Sequence, residues 1–158
     1  MIRAEEAHQT AICTYLKLQY PNVIFHVDNG SAKKRTFVEQ NVMRKQQYKP
    51  GYPDITILHP VGKWHALLLE IKKDWQEIHY KDGTLKPGND DHFYIQQDFM
   101  SELTNRGYIA QFTWSIEYSK VVIDNYMKGL LTDPYLPVKT KVSKNDLLAN
   151  NFFTSFNL

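Results

Sequence analysis

The chain has 158 residues, of which 42% are hydrophobic and 23% are charged, and its formal net charge at pH 7 is only +2. This length is sufficient for one domain with its own hydrophobic core, and the apolar content excludes an intrinsically disordered chain. A net charge so close to zero excludes a basic field over the whole surface, so nucleic-acid binding would require locally clustered charge. Cys13 is the single cysteine, which excludes an internal disulfide.

Membrane, zinc and nucleotide-hydrolysis functions are not expected. No apolar stretch approaches the roughly 20 residues that span a bilayer, and Glu5 and Glu6 stand where a signal peptide would need a basic region. We therefore expect a soluble, cytoplasmic protein with no membrane partner. The six histidines lack paired ligand spacing and the single cysteine excludes a thiolate cluster. No glycine-rich phosphate loop is present.

The N-terminal part predicts a helix, a strand and a polar segment. Apolar residues recur at helical spacing from residue 2 to about 19, and the β-branched and aromatic residues 23–27 predict a strand. Turn-forming residues 28–31 end this strand. Residues 32–49 contain six basic residues and one acid, and this polar segment predicts a loop, with a short helix as the alternative.

The rest of the domain predicts three strands and two helices. Strands over 54–58 and 64–71 are joined by a short glycine-containing connection, which predicts an antiparallel hairpin, and the apolar run of the second indicates burial on both faces. A helix over about 92–106, a strand over 108–114 and a helix ending near Gly129 follow. The predicted order is α-β-β-β-α-β-α, an α/β fold.

Two segments lie outside this plan. Residues 74–91 contain two turn signals and predict an inserted hairpin or flap within a domain that covers 1–132. Residues 133–158 begin as a proline-containing linker and end in an apolar stretch, so we expect this C-terminal tail to pack on the domain or on a partner.

Three sequence features are predicted to converge on one site. Asp54 opens one strand, Glu70 and Lys72 end the next, and strand alternation places these last two side chains on one face. A hairpin brings Asp54 near Glu70, and two carboxylates in one place repel each other unless a cation joins them. Hard carboxylate oxygens suit Mg²⁺ or Mn²⁺, and the Ile71 carbonyl is a further candidate ligand.

Lys72 beside such an ion would hold a water or a phosphate oxygen for in-line attack on phosphorus. The alternative is a salt bridge at a strand end, because Glu-x-Lys sequences are common. Gln96 lies on the apolar face of the helix over 92–106, so it is either a core glutamine bonded to backbone or a residue directed at the metal site. Glu5 and Glu6 lie in the first turn of the first helix, where the helix dipole stabilises acids.

These residues resemble the VRR-NUC domain, a branch of the PD-(D/E)xK nuclease superfamily. The resemblance covers about residues 3–128 and rests on the order and spacing of its parts: GYPDI at 51–55, LLLEIKK at 67–73, Gln96 followed by Gly107 and Tyr108, Glu6-x-x-Gln9, and Asn29-Gly30 before the basic segment.

The resemblance implies a restriction-endonuclease-like core, a central mixed sheet flanked by helices, and DNA cleavage dependent on Mg²⁺ or Mn²⁺. It implies that Asp54 and Glu70 bind metal, that Lys72 activates water, and that Gln96 and Glu6 assist, Glu6 as a further metal ligand. Stand-alone members are similar to virus-encoded enzymes that dimerise and cut four-way (Holliday) junctions, whereas fused members act on flaps. A phage-encoded member would work in the host cytoplasm.

The basic segment is the predicted DNA contact, since lysine and arginine meet phosphates and tyrosine can reach sugars or bases. A solvated loop is the alternative. We expect a homodimer that cuts branched DNA. A restriction-like enzyme acting on duplex DNA, a flap nuclease, and a DNA-binding module that does not cut remain alternatives. The predicted DNA-binding residues are Lys33, Lys34, Arg35, Arg44, Lys45, Tyr48 and Lys49.

Overall fold

Capping side chains define where several helices of the protein begin. The structure, a computed structural model, describes residues 4–28, 36–81 and 92–133. Within these ranges the elements are α1 (Ala4–Gln19), β1 (Ile24–Val27), α2 (Phe37–Gln46), β2 (Ile55–Leu58), β3 (Leu67–Ile71), α3 (Trp75–Ile78), α4 (His92–Asn105), β4 (Ile109–Thr113) and α5 (Ile116–Met127). Thr36 begins α2, Asp74 begins α3 and Ser115 begins α5, each accepting a backbone N–H of the first turn.

The four strands form one mixed sheet in the order β1-β2-β3-β4. β1 pairs antiparallel with β2, and β2 pairs antiparallel with β3, as the predicted hairpin requires. β3 pairs parallel with β4, because α3 and α4 return the chain to the same end of the sheet between these two strands. The predicted mixed sheet flanked by helices is confirmed.

Helices cover both faces of β3 and β4. On β4, Phe112 stacks on Phe93 of α4 with ring centroids 5.0 Å apart, whereas its neighbour Gln111 donates to the Tyr118 hydroxyl of α5 at 3.5 Å. Adjacent strand residues point to opposite faces, so α4 and α5 lie on opposite sides of the sheet. Every residue of β3 and β4 is buried, which confirms the burial on both faces expected from the apolar run of β3.

Two predictions are corrected by additional helices. The basic segment is not a loop throughout, because a capping box between Thr36 and Glu39 nucleates α2, the short-helix alternative. The predicted hairpin or flap begins instead as α3, whose Trp75 and Ile78 are buried in the core. The remainder of that insertion, over 82–91, lies outside the described residues.

The C-terminal tail over 134–158 also lies outside the described residues. Throughout the described ranges, none of the helices combines the length and apolar character needed to cross a membrane.

Candidate active site

The hairpin brings Asp54 beside the end of β3. Ile55 pairs with Leu69, so the preceding Asp54 lies opposite Glu70. The Asp54 Oδ2 atom accepts a hydrogen bond of 2.8 Å from the backbone N–H of Ile71. The backbone carbonyl of Asp54 accepts a second hydrogen bond of 2.8 Å from the backbone N–H of Asp28. Hydrogen bonds from the chain after β1 and from β3 therefore hold Asp54 at the start of the central strand β2.

Gly51 allows the chain that enters β2 to pass directly against α4. Its φ is +100°, which favours glycine, and a Cβ atom there would lie 2.9 Å from Ile95 O and 3.2 Å from Gln96 Cα. This close approach sets the distance between the segment that carries Asp54 and the helix that carries Gln96.

Glu70, Lys72 and Gln96 form a closed, buried hydrogen-bonded set. The Lys72 Nζ atom donates to Glu70 Oε1 at 3.1 Å and to Gln96 Oε1 at 2.7 Å, while Gln96 Nε2 also donates to Glu70 Oε1. The three residues are 4%, 7% and 5% exposed, in that order. Gln96 was predicted either to bond to backbone in the core or to be directed at the metal site. The structure shows the second arrangement of its amide, which bonds to Lys72 and Glu70.

Both carboxylates hold their protons more tightly than usual. Burial raises the pKa of Glu70 to about 8, with a further contribution from the charge of Asp54, against the opposing effect of Lys72. Burial likewise raises the pKa of Asp54 to about 6, although the bond from Ile71 N–H opposes the shift. A bound cation would reverse both shifts, because it favours the ionised forms.

The geometry leaves carboxylate oxygens for such a cation. Within the described part of the chain, hydrogen bonds reach only Oδ2 of Asp54 and Oε1 of Glu70. The same described residues contain no group of three or more His, Cys, Asp or Glu that could hold a metal. Two hard oxygens fit Mg²⁺ or Mn²⁺ only where the Ile71 carbonyl, water and substrate phosphate complete the coordination.

Of the two acids at the start of α1, Glu5 and not the predicted Glu6 acts electrostatically on the carboxylate pair. Both acids are exposed, but the charge of Glu5 raises the pKa of both Asp54 and Glu70, whereas Glu6 is not among the charges that act on either. Adjacent helical residues point about 100° apart, so the two acids lie at different distances from the sheet.

A signal for Glu5 was present in the helical periodicity. The buried residues of α1 are His8, Ile12 and Leu16, and Glu5 precedes His8 by three positions on the same stripe. Glu6 precedes His8 by two positions, which places it off that stripe.

The predicted DNA-binding residues divide into three groups. Lys33, Lys34 and Arg35 lie outside the described residues. Arg44 and Lys45 are exposed in the last turn of α2.

Tyr48 and Lys49 form the third group and bind α4. Lys49 Nζ lies 2.9 Å from Asp98 Oδ2 and 2.6 Å from Glu102 Oε2, and the Tyr48 hydroxyl donates to Glu102 at 3.1 Å. The charge of Lys49 is therefore compensated within the protein. This residue attaches the segment entering β2 to α4 instead of standing free for a phosphate.

The fold is a mixed sheet flanked by helices, with two carboxylates and a lysine at adjoining strand ends. A solved structure described as a VRR_NUC domain protein is similar to this chain with a TM-score of 0.58 and 24% sequence identity, over 87% of this chain and 97% of that chain. The similarity confirms the fold implied by the sequence resemblance. No family model and no curated protein matches the chain.

Proposed function

We propose that this chain is a divalent-metal-dependent DNA endonuclease that hydrolyses phosphodiester bonds. The single observation that carries the proposal is the buried set in which Lys72 is bonded to Glu70 and Gln96 beside Asp54. A buried charged set of this kind has no packing advantage over apolar residues, so a chemical role is the better explanation. The fold shared with a VRR_NUC domain protein supports it.

Asp54 and Glu70 would hold Mg²⁺ or Mn²⁺, with the Ile71 carbonyl and the Glu5 carboxylate nearby. When bound, the ion would polarise a phosphoryl oxygen and stabilise the charge that develops during hydrolysis. Glu5 takes the place first assigned to Glu6, because its charge acts on both ligands.

Lys72 would position the attacking water or a phosphate oxygen. An ammonium has three donors, and among the described residues two of them are used on Glu70 and Gln96. These two bonds therefore fix the direction in which the third N–H of Lys72 points. Gln96 holds the amine in one place, since its amide oxygen accepts from Lys72 while its amide nitrogen donates to Glu70.

We further propose that the substrate is branched DNA, such as a four-way junction, and that the chain acts as a homodimer. A two-fold dimer carries two sites that suit the symmetric strands of a junction. Exposed Arg44 and Lys45 on α2 support contact with phosphates. The sequence resemblance to stand-alone VRR-NUC enzymes supports the same substrate.

Cleavage of a defined panel of DNA molecules tests the proposal. Four-way junction, flap, fork and linear duplex are each incubated with Mg²⁺, Mn²⁺ or a chelator, with Lys72→Ala and Asp54→Asn proteins as controls for contaminating nucleases. We expect metal-dependent cutting that is fastest on the junction and absent with either variant. Equal cutting of linear duplex would favour a restriction-like enzyme, and preference for the flap would favour a flap nuclease. Binding without cutting would contradict the enzymatic proposal.

A further inference from the structure

Helix α2 exposes large apolar side chains and packs no residue into the core. None of its ten residues is buried, and Phe37, Val38 and Val42 are 75%, 70% and 46% exposed. A helix this short is marginal in water unless one of its faces packs against another surface. Neighbouring apolar side chains left in water also indicate an interaction site, whereas isolated ones do not. We therefore expect a partner on this side of α2.

The apolar side chains share one face of α2 with its two cations. Phe37 and Arg44 are seven positions apart, as are Val38 and Lys45, and seven residues make close to two helical turns. Val42 lies four positions after Val38 on the same side. These five residues fall within about 160° of the helix circumference. They are called the apolar-basic face of α2 below.

The charge of this face favours a polyanion as the partner. Within the described ranges, Arg44 and Lys45 are exposed and take part in no ion pair. Glu39 is the one acid of α2, lies outside the apolar-basic face, and accepts hydrogen bonds from the backbone N–H and the hydroxyl of Thr36. Its charge is thus used to begin the helix and does not compensate the two cations.

Exposed apolar side chains beside such cations find a partner in DNA only where base faces are accessible. Along a continuous duplex, stacking covers the faces of the bases, so an aromatic ring on the surface would meet sugars and phosphates. Where strands branch, the stack is interrupted, and an exposed base can stack on an aromatic side chain. Apolar side chains also enter between neighbouring bases. The apolar-basic face therefore suits a branch point better than a linear duplex.

The chain that follows α2 attaches this face to the helix that supports the candidate active site. Lys49 bonds to Asp98 and Glu102 of α4, and the Tyr48 hydroxyl donates to Glu102. Lys49 comes three residues after the end of α2, so the last turn of α2 lies within about 11 Å of this attachment along the chain. Gln96 is only two positions before Asp98, so DNA held on α2 lies near the site.

We propose that the apolar-basic face of α2 binds the branch point of DNA, with Phe37 stacked on an exposed base and Arg44 and Lys45 on neighbouring phosphates. The proposal rests on the proposed function and assigns its preference for branched DNA to one side chain. Stacking of a base on an aromatic side chain changes affinity by about 5- to 150-fold. It releases no counterions, so its contribution varies little with salt, unlike that of phosphate contacts.

The test compares wild type, Phe37→Ala and Phe37→Leu, with Leu18→Ala as the matched control. Leu18 is 73% exposed on another helix, α1, and carries no proposed contact. Affinities for a four-way junction and for a linear duplex of the same arm sequence are measured by fluorescence anisotropy. A chelator prevents cleavage, and each affinity is measured at low and at high salt. Melting temperature, mass by light scattering and binding to anionic lipid vesicles are measured for each protein.

For Phe37→Ala we expect junction binding to weaken at least about 5-fold at both salt concentrations, with affinity for the duplex unchanged. Phe37→Leu keeps an apolar contact without a ring, so its loss should be smaller. Leu18→Ala should bind like wild type. Melting temperature and mass should not change in Phe37→Ala, because the side chain is 75% exposed and lies outside the capping box of α2.

Equal losses on junction and duplex, or no loss on either, would overturn the proposal. A fall in mass for Phe37→Ala would instead assign this face to a second copy of the chain, and a lower melting temperature would assign it to the C-terminal tail. Loss of vesicle binding would assign it to a lipid surface. Failure of the proposed function is distinguishable. A wild-type protein that prefers the junction but cuts no DNA contradicts only the nuclease, and one that cuts DNA without preferring the junction contradicts only the role of α2.

Discussion

The candidate active-site corner, formed by Glu70, Lys72 and Gln96, and helix α2 are held in place by different interactions. In the corner, Glu70, Lys72 and Gln96 are almost completely buried and bonded to one another. In α2 no residue is buried, and its first residues, Phe37 and Val38, are 75% and 70% exposed. Its capping box and the attachment of the following segment to α4 keep it in position.

This difference predicts how each region responds to change. Charges in a buried site interact strongly and leave an unpaired partner when one is removed, so a substitution there acts on chemistry. Exposed charges are screened by salt and by water, so a substitution on α2 acts on affinity and varies with ionic strength.

Replacement of Lys72 has the largest expected effect. We expect Lys72→Ala to lower the single-turnover rate of DNA cleavage by at least about 100-fold, because a donor directed at developing charge is lost. The fold should be retained, since Glu70 already holds a proton readily and can become neutral. Melting temperature serves as the control for folding. Cleavage at the wild-type rate would contradict the expectation that substitutions in the buried corner act on the chemical step.

Metal binding should depend strongly on pH. Folding raises the pKa of Glu70 from 4.5 to about 8 and that of Asp54 from 3.8 to about 6. At pH values between the unfolded and folded pKa of each group, the folded protein binds more protons than the unfolded chain. The stability of the metal-free protein therefore falls as pH rises through this range. Protons compete with the cation, so Mg²⁺ should raise the melting temperature more at pH 8 than at pH 6. Glu70→Gln should reduce this difference. Equal stabilisation at both pH values would argue against a metal site at this pair.

Gly51→Ala tests how closely the corner depends on the approach of the chain to α4. The new Cβ would lie 2.9 Å from Ile95 O at a φ of +100°, and we expect a loss of about 1–3 kcal/mol in the free energy of unfolding, with slower cleavage. Gly62→Ala is the matched control, because its φ is +58° and nothing lies within 4 Å of the added atom. Denaturant unfolding measures both. Equal losses would mean that the contact with α4 contributes nothing.

Substitutions on α2 should have the smallest effect on the chemical step. We expect Arg44→Ala with Lys45→Ala to weaken DNA binding and to reduce the slope of log affinity against log salt by about one unit per lost phosphate contact, with kcat unchanged at saturating DNA. Lys49→Ala is the control, since that charge is already paired with Asp98 and Glu102. A larger change in slope for Lys49→Ala than for the double variant would mean that Lys49, and not Arg44 and Lys45, contacts phosphate.

The same measurement extends to Lys33, Lys34 and Arg35. We expect their joint replacement with alanine to weaken DNA binding in a salt-dependent way, because each removes a positive charge predicted to meet a phosphate. Affinity that is unchanged at low salt would contradict this prediction.

Local patterns in the sequence were sufficient to predict the centre of the site. Alternation along a strand places Glu70 and Lys72 on one face, and a short hairpin connection brings Asp54 opposite them. Both arguments use residues close together in the chain, so they need no knowledge of the tertiary fold. The helical stripe of α4 likewise indicated that the polar Gln96 faces inward.

The acid of α1 that acts on this centre was decided by tertiary packing, although the helical stripe of α1 carried a signal for Glu5. Which of Glu5 and Glu6 faces the carboxylates depends on the rotation of α1, which is set by the packing of His8 and the apolar stripe against the core. Lys49 pairs with Asp98 of α4 across 49 positions, and His8 meets Ser119 across 111 positions. The sequence by itself determined which residues come together in the candidate site, through the short-range geometry of strands. Only the folded chain decided which distant side chains orient them, because such contacts depend on how the elements pack together.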